Sequence, residues 1–337
     1  MPDLQTGPLS AINVSSFFGV EEIVFSTADP RPTANLRFDA VGGASFQADG
    51  EAGAWIVSPG GAVRLSLNLL FQHGLVMIGE MRPAVFAGGS PYPVHLQANE
   101  STWETEIYPA AEGFEKFSWY LLHYMLRQGE NQIILRVPPE APCALVIKSA
   151  AIMRFNLQMQ QQDKWCWAAV TASFLNHLNP AGRWNQCQVV KTVLGKAASA
   201  DASAPAPSPA VDCCQDGGDT ACNRTYKLSQ ALQEMGLLDA FENRALTLTE
   251  LRRRISEGVP LAIRIGWRDE NGKLSNRGHF ITITAVGPED PRGEEFTWIR
   301  VADPIDKVAS YVPYETLKNN YKGEGKWTHS YMISRKR

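Results

Sequence analysis

The sequence predicts two domains of different class: an all-β sandwich over residues 1–154 and an α+β domain over residues 155–337. Three observations predict it. Between residues 10 and 155, apolar and polar residues alternate in short runs separated by turn residues. From Cys166 to Ile255 the apolar spacing changes to that of helices. From Pro260 onward short apolar strand patterns return. Helices first and an antiparallel sheet afterwards is an α+β order.

In the first domain, Val63, Leu65, Leu67 and Leu69 alternate with Arg64, Ser66 and Asn68. Trp103, Thr105 and Ile107 alternate with Glu104 and Glu106. Ile133, Leu135 and Val137 form a further run, and Leu145 with Ile147 another. A period of two gives each strand one buried and one wet face. Asp29-Pro30, Gly42-Gly43, Pro59-Gly60-Gly61, Gly88-Gly89-Ser90-Pro91 and Gly129-Glu130-Asn131 are the turn signals between runs. Many short strands at this spacing predict a sandwich. Residues 128–135 with 145–147 are similar to the last hairpin of a carbohydrate-binding jelly roll, so a jelly-roll-like domain is expected. The expected ligand is a glycan, a surface or a delivery machine, and a purely structural or inhibitory sandwich is the alternative. Trp119, Tyr120 and Tyr124 are candidates for sugar stacking, with core packing the stronger expectation. Cys143 is expected to be a core thiol.

A short polar stretch, Phe155 to Gln162, leads into the second domain. Val170, Phe174, Leu175 and Leu178 share one helical stripe, which predicts a helix starting at Cys166. Asn179-Pro180 and Ala181-Gly182 mark a turn, and Gln186 to Leu194 a second helix. Ala197 to Ala210, with Pro205, Pro207 and Pro209, reads as an extended surface insertion. Leu228, Ala231, Leu232 and Met235 predict a third helix closed by Gly236. Thr247-Leu248-Thr249-Glu250 is a capping box, with Leu251 and Ile255 on the apolar stripe behind it. Arg252, Arg253 and Arg254 read as the solvated face of that helix, which Gly258 and Pro260 end. Strands are predicted over residues 260–268, 279–286, 296–302 and 327–334, with a turn at Asn271-Gly272 and, within 311–321, a short helix after Pro313.

Composition narrows the function. Hydrophobic residues make up 44%, charged residues 20%, and the net charge is -3 with a pI of about 6.1. That balance does not favour nucleic acid or an anionic membrane surface as partner. No apolar run is long enough for a membrane-spanning helix. The first residues lack a basic and then apolar leader, so a Sec signal is not expected. The six cysteines are Cys143, Cys166, Cys187, Cys213, Cys214 and Cys222. No Cys-x-x-Cys pair or nearby histidine supports zinc. One or two disulfides among Cys187, Cys213, Cys214 and Cys222 are expected outside a reducing compartment, with buried free thiols as the alternative. Asn-x-Ser/Thr sequons begin at Asn13, Asn99 and Asn223.

Cys166 sits where a loop enters a helix. That position favours a thiolate, because a helix N-terminus carries partial positive charge. A nucleophilic cysteine needs a base nearby, and histidine is the usual one. Of the six histidines, His73, His95 and His123 lie in the first domain. His177 is eleven residues along the same helix as Cys166, about 16 Å away, and reads as a surface or boundary residue. His329 is a weaker second candidate. His279 follows Gly278 and opens an apolar strand, where a base on a sheet rim belongs. A hairpin centred near Pro291 pairs residue 287 with 295 and His279 with Asp303, their Cβ atoms about 5 Å apart. Asp303 is therefore the candidate that orients the imidazole, with Asp306 as fallback.

The ordered set resembles the papain-like cysteine peptidases. It comprises Gln160 six residues before Cys166, Cys166-Trp167-Ala168-Ala169, Gln186-Cys187, Asp212-Cys213-Cys214, Cys222-Asn223, Gly278-His279-Phe280, Ala302-Asp303-Pro304 and Trp327…Tyr331. The likeness is strongest to the bacterial branch that includes the avirulence-protease effectors of plant pathogens. It covers about residues 155–335 and leaves residues 1–150 uncovered. The resemblance implies a papain-like fold and a thiol peptidase acting on a protein or peptide. Gln160 would then help form the oxyanion hole with the Cys166 N–H, Gln161 being its fallback and Gln162 a further neighbour. Trp165 and Trp167 are implied to be packing residues. An effector or toxin is implied, secreted without a Sec signal peptide or cytoplasmic before delivery, with an inhibitor or immunity protein as a further partner. The triad alone equally permits a deamidase, a transglutaminase or an isopeptidase. A third expectation is a carbohydrate- or surface-binding protein whose papain-like half is inactive. No metal or organic cofactor is expected.

Overall fold

The computed structural model describes residues 12–14, 20–25, 36–49, 52–69, 75–85, 92–107, 113–121, 125–127, 129–153, 155–179, 182–200, 212–287, 290, 292–306 and 309–334. Asp29-Pro30, Gly88–Pro91, Tyr124, the side chain of Tyr120 and residues 201–211 lie outside them. The chain divides into two compact units, one running to Met153 and the other from Arg154. No described helix is long and apolar enough to cross a membrane.

The strands of the first unit are β1 (Ile12–Val14), β2 (Val20–Phe25), β3 (Leu36–Ala40), β4 (Ala44–Asp49), β5 (Ala52–Val57) and β6 (Ala62–Leu69). They continue with β7 (Leu75–Pro83), β8 (Tyr92–Ala98), β9 (Ser101–Ile107), β10 (Glu115–Leu121), β11 (Gly129–Arg136) and β12 (Leu145–Met153). One antiparallel sheet runs β3-β6-β11-β8-β9. The other is built on β12, which pairs with β7 along one edge and with β5 and then β2 along the other. Both sheets contribute to one core. Trp55, Met77, Phe117, Trp119 and Ile147 come from one, and Leu65, Leu67, Leu96, Ile133 and Leu135 from the other. Two sheets over one shared core make a β-sandwich. The period-two pattern explains which side faces in: Val63, Leu65 and Leu67 are buried, while Arg64 and Ser66 are half-exposed. Trp119 is a core residue, in line with the stronger expectation for it.

Two expectations change here. Residues 128–135 and 145–147 do not form a hairpin. β11 pairs with β6 and β8 in one sheet, and β12 belongs to the other. The connection carries Pro138, Pro139 and Pro142, which have no N–H to offer a ladder, and a turn from Ala141 N–H to Pro138 O (3.1 Å) carries the chain across. Cys143 is half-buried at the edge of the core, its Sγ 3.7 Å from Val85 O. Asn99 is a structural residue: its amide donates to Met125 O and Asn131 Oδ1, both at 2.9 Å.

The second unit contains α1 (Cys166–Leu178), α2 (Gln186–Ala200), α3 (Leu228–Glu234), β13 (Leu238–Glu242), α4 (Leu248–Ser256), β14 (Leu261–Arg268) and β15 (Leu274–Val286). It ends with β16 (Trp298–Ala302), β17 (Ser310–Pro313), α5 (Tyr314–Asn319) and β18 (Gly325–Ile333). Its antiparallel sheet has the order β13-β18-β14-β15-β16-β17, giving an α+β layout.

α1 is buried on almost every side from Trp167 to Phe174, not on one stripe. It packs among Val189 and Val193 of α2, Leu228 and Leu232 of α3, and Phe280 and Tyr331 of the sheet. A helix enclosed by neighbours has no wet face to keep polar. Its Thr171 and Ser173 hydroxyls donate to the carbonyls of Trp167 and Ala169, each at 2.7 Å, so no polar group is stranded. His177 is buried rather than at the surface, its Nε2 3.1 Å from Gly258 O. α2 continues through Ala200, so residues 197–200 are helical where an extended insertion was expected; alanine is the strongest helix former. The capping box forms as the sequence predicts: Glu250 N–H donates to Thr247 Oγ1 (3.3 Å), and Thr247 N–H donates to Glu250 Oε2 (2.7 Å). The short helix after Pro313 forms as expected, α5 starting at Tyr314, while Tyr311 to Pro313 pairs with β16 as strand.

Candidate active site

Cys166 is the first residue of α1. No side chain caps the helix and no acidic residue occupies its first turn. The free N–H groups of that turn therefore direct their partial positive charge at the cysteine. The junction is fastened from outside. Trp165 Nε1 donates to Cys222 O (2.9 Å), Trp167 Nε1 to Arg224 O (3.1 Å), and Lys164 N–H to Asn223 Oδ1 (3.1 Å). Gly217 lies against the Trp165 ring so closely that a Cβ there would sit 2.7 Å from it. Two disulfides secure this segment: Cys213–Cys222 closes the loop and Cys187–Cys214 ties it to α2. Cys143 and Cys166 are free thiols.

β15 begins at Leu274, earlier than expected, and its burial changes from exposed to buried at His279. His279 is thus the first covered residue of the strand. Its Nε2 lies 2.6 Å from Asp303 Oδ1, and the Cys166 thiol acts on the same ring in favour of its charged form. With Nε2 committed to Asp303, Nδ1 is the nitrogen left for the thiol. Burial opposes charge on this imidazole, but Asp303 and Cys166 overcome it and raise the pKa from 6.5 to about 9. Burial likewise works against a charged Asp303. The imidazole, the Ile305 N–H and the Lys322 ammonium outweigh it and hold the carboxyl well below the usual range. Trp267 stacks on the imidazole at 6.4 Å and 19°.

The route to this pair differs from the expected hairpin. Thr282 faces Ala302 and Ile283 faces Val301, with an irregularity before Ala285. Continuing that register puts Ile281 opposite Asp303, so His279 and Asp303 are diagonal neighbours on one face. A shift by one residue in each strand preserves the face, and long side chains span the diagonal. The short 3-10 turn Glu294–Phe296 takes up residues that the symmetric hairpin assigned to strand.

The three glutamines differ. Gln160 N–H donates to Pro304 O (2.7 Å), which ties its loop to the residue after Asp303. Its Oε1 is buried without a hydrogen-bond partner among the described residues. The Gln161 side chain is exposed, and the Gln162 amide lies beside Gly217 and Gly218. Asp306 bonds Lys322 (2.9 Å) rather than His279. His329 contacts Thr328 Oγ1 (2.9 Å) and stacks on Tyr331, while burial and the Arg264 charge lower its pKa. Trp267, Tyr321 and Lys322 escape the sequence reading. They come from one strand and one turn far from Cys166 in the chain, and Gly323 and Gly325 are the residues that could have marked the turn.

No protein-family model matches the chain, and no curated protein matches it. Solved structures with some likeness include a family 35 carbohydrate-binding module from Clostridium thermocellum. It is 12% identical over 36% of this chain and 99% of that one, with a TM-score of 0.31. A family 35 module from Cellvibrio japonicus is 14% identical over 35% of this chain and 91% of that one, with a TM-score of 0.25. A family 35 module, Xyl-CBM35, in complex with a glucuronic acid containing disaccharide is 12% identical over 34% and 91%, again with a TM-score of 0.25. None of these three is a peptidase. Likeness at this level carries no argument, and the sandwich described above rests on its own strand pairing and core.

Proposed function

We propose that the second unit is a thiol peptidase of papain-like type that cleaves a peptide bond in a target protein. One observation supports the reading above all: a free cysteine at a helix start, coupled to a buried histidine that is itself held by a buried carboxylate. In this reading the Cys166 thiolate adds to the scissile carbonyl carbon. The Cys166 N–H, which has no intrahelical acceptor, and the Gln160 amide receive the oxyanion. The C–N bond breaks as the His279 imidazolium gives its proton to the departing amine, leaving a thioester on Cys166. Water then attacks the thioester, passing a proton to His279, and the acid leaves as the thiolate–imidazolium pair is restored. Deamidation, transglutamination and isopeptide cleavage use the same steps with a different carbonyl or acceptor. An effector or toxin role, with delivery outside the Sec route, belongs to this proposal through the sequence resemblance alone.

Intact-mass analysis after a papain-type epoxide inhibitor, with a parallel search for new N-termini in a treated denatured proteome, tests it. The wild type is expected to gain one adduct at Cys166 and to cleave. Cys166→Ala is expected to lose both, with cleavage down about 10⁴-fold or more. An adduct without cleavage would move the reading to a transferase or deamidase. No adduct on folded protein would overturn it.

A second reading concerns the first unit: a sandwich that binds a glycan. Its two-sheet architecture is compatible with such a role. A glycan array probed with the intact protein tests it, and an empty array would leave the sandwich a structural module.

A further inference from the structure

Only half of the hydrogen bonds that the Asp303 carboxylate accepts fall on the oxygen that faces the histidine. Oδ1 accepts from His279 Nε2 (2.6 Å) and Ile305 N–H (3.0 Å). Oδ2 accepts from the Tyr321 hydroxyl (3.1 Å) and from Lys322 Nζ (3.0 Å). The same Nζ lies 2.9 Å from Asp306 Oδ2, so the ammonium is held between two carboxylates. The Asp303 side chain is 1% exposed and that of Lys322 42%. Lys322 has φ +51°, in the left-handed region that a lysine seldom adopts. Reciprocal backbone bonds between Tyr321 and Gly325, both at 2.8 Å, close the turn around it. The turn aims two successive side chains at one carboxylate oxygen. Backbone strain of this kind persists where the surroundings hold it, and it clusters at functional sites.

We propose that Lys322 is a positioning residue of this site: it caps Asp303 Oδ2 so that Oδ1 alone faces His279, and it moderates the pull of that carboxylate on the imidazole proton. The proposal rests on the roles assigned above to Cys166, His279 and Asp303. A buried carboxylate beside an imidazole holds the proton on the ring. A ring that binds its proton too tightly is a poor donor to the leaving group, because proton transfer is most efficient when donor strength lies near the working pH. An ammonium on the far oxygen draws charge away from Oδ1 and opposes the proton through its own field. Asp306 keeps the ammonium in place. Tyr321 acts only as a neutral donor, since burial and the Asp303 charge keep its hydroxyl protonated. The titratable groups acting directly on His279 are Cys166 from α1 and Asp303 from the segment after β16; Tyr321 and Lys322, from the turn before β18, reach it through Asp303, and Asp306 through Lys322. β14 contributes Trp267, which does not titrate.

The test is an NMR titration of the His279 imidazole in full-length protein. Lys322→Gln keeps a donor and removes the charge, Lys322→Met removes both, and Lys322→Arg keeps both. The His279 transition is expected to move up by roughly 1 pH unit in the Gln and Met variants and to stay put in Arg. An unmoved transition in the Gln or Met variant, with folding confirmed by circular dichroism, overturns the proposal. So does an equal rise in the Arg variant. If Lys322→Met fails to fold, Lys322→Gln decides. The titration needs no turnover, so missing Cys166-dependent cleavage would sink the peptidase reading and leave this result to stand or fall separately.

Discussion

His279 makes the second unit sensitive to alkali. Its value in the fold, about 9, lies above the ordinary 6.5. The folded chain therefore binds that proton more tightly than the unfolded one. The stability it contributes is complete below about pH 6.5 and is lost as the pH rises through about 9. Thermal unfolding of the wild type is expected to show a falling Tm between those limits, and His279→Gln is expected to lack that component. Equal slopes in the two proteins would refute the assignment. Cysteine, histidine and aspartate were readable as candidates because their chemistry is in the residue type. Lys322 and Trp267 were not, because a lysine in a turn and a tryptophan in a strand have many ordinary uses.

The Cys213–Cys222 disulfide ties the loop that holds the start of α1. Cys222 O and Arg224 O receive the two indole N–H groups flanking Cys166. Replacing Cys213 and Cys222 by alanine is expected to cost about 2–3 kcal/mol in chemical denaturation, since a short loop is released. The same variant is expected to slow epoxide labelling of Cys166 as the indole anchors loosen. Labelling at the wild-type rate would mean that packing alone positions the helix start. Local patterns were good guides to where elements begin. The capping box at Thr247 and Glu250 marked α4, and the change of period at Cys166 marked α1. They were poor guides to an element's surroundings. α1 shows an apolar stripe in sequence, yet its alanines, Thr171 and Ser173 are enclosed as well. β13 gave no signal, having little burial of its own.

Each of the two units closes its own core, so damage to one core is expected to stay local. Leu96 is fully buried between the sheets of the first unit. Leu96→Ala is expected to destabilise that unit by about 2–5 kcal/mol, read as a lowered transition in calorimetry. Epoxide labelling at Cys166 is expected to be unchanged, and a parallel loss of labelling would show that the cores are coupled.

The periods of two and of three to four, the turn glycines and the caps are local properties of the chain. They placed most strands, the main helices, the candidate nucleophile and its candidate base in the sequence. Sheet membership is not local, which is why β11 and β12 read as a hairpin and fold into opposite sheets. Strand register is not local either: the β15–β16 pairing depends on a 3-10 turn and an irregularity that no residue spacing announced, and the His279–Asp303 contact survives because the shift keeps both on one face. The clamp of Tyr321, Lys322 and Asp306 on Asp303 joins segments whose meeting depends on how β16 and β18 take their places in the sheet, and no property of the separate segments encodes that distance.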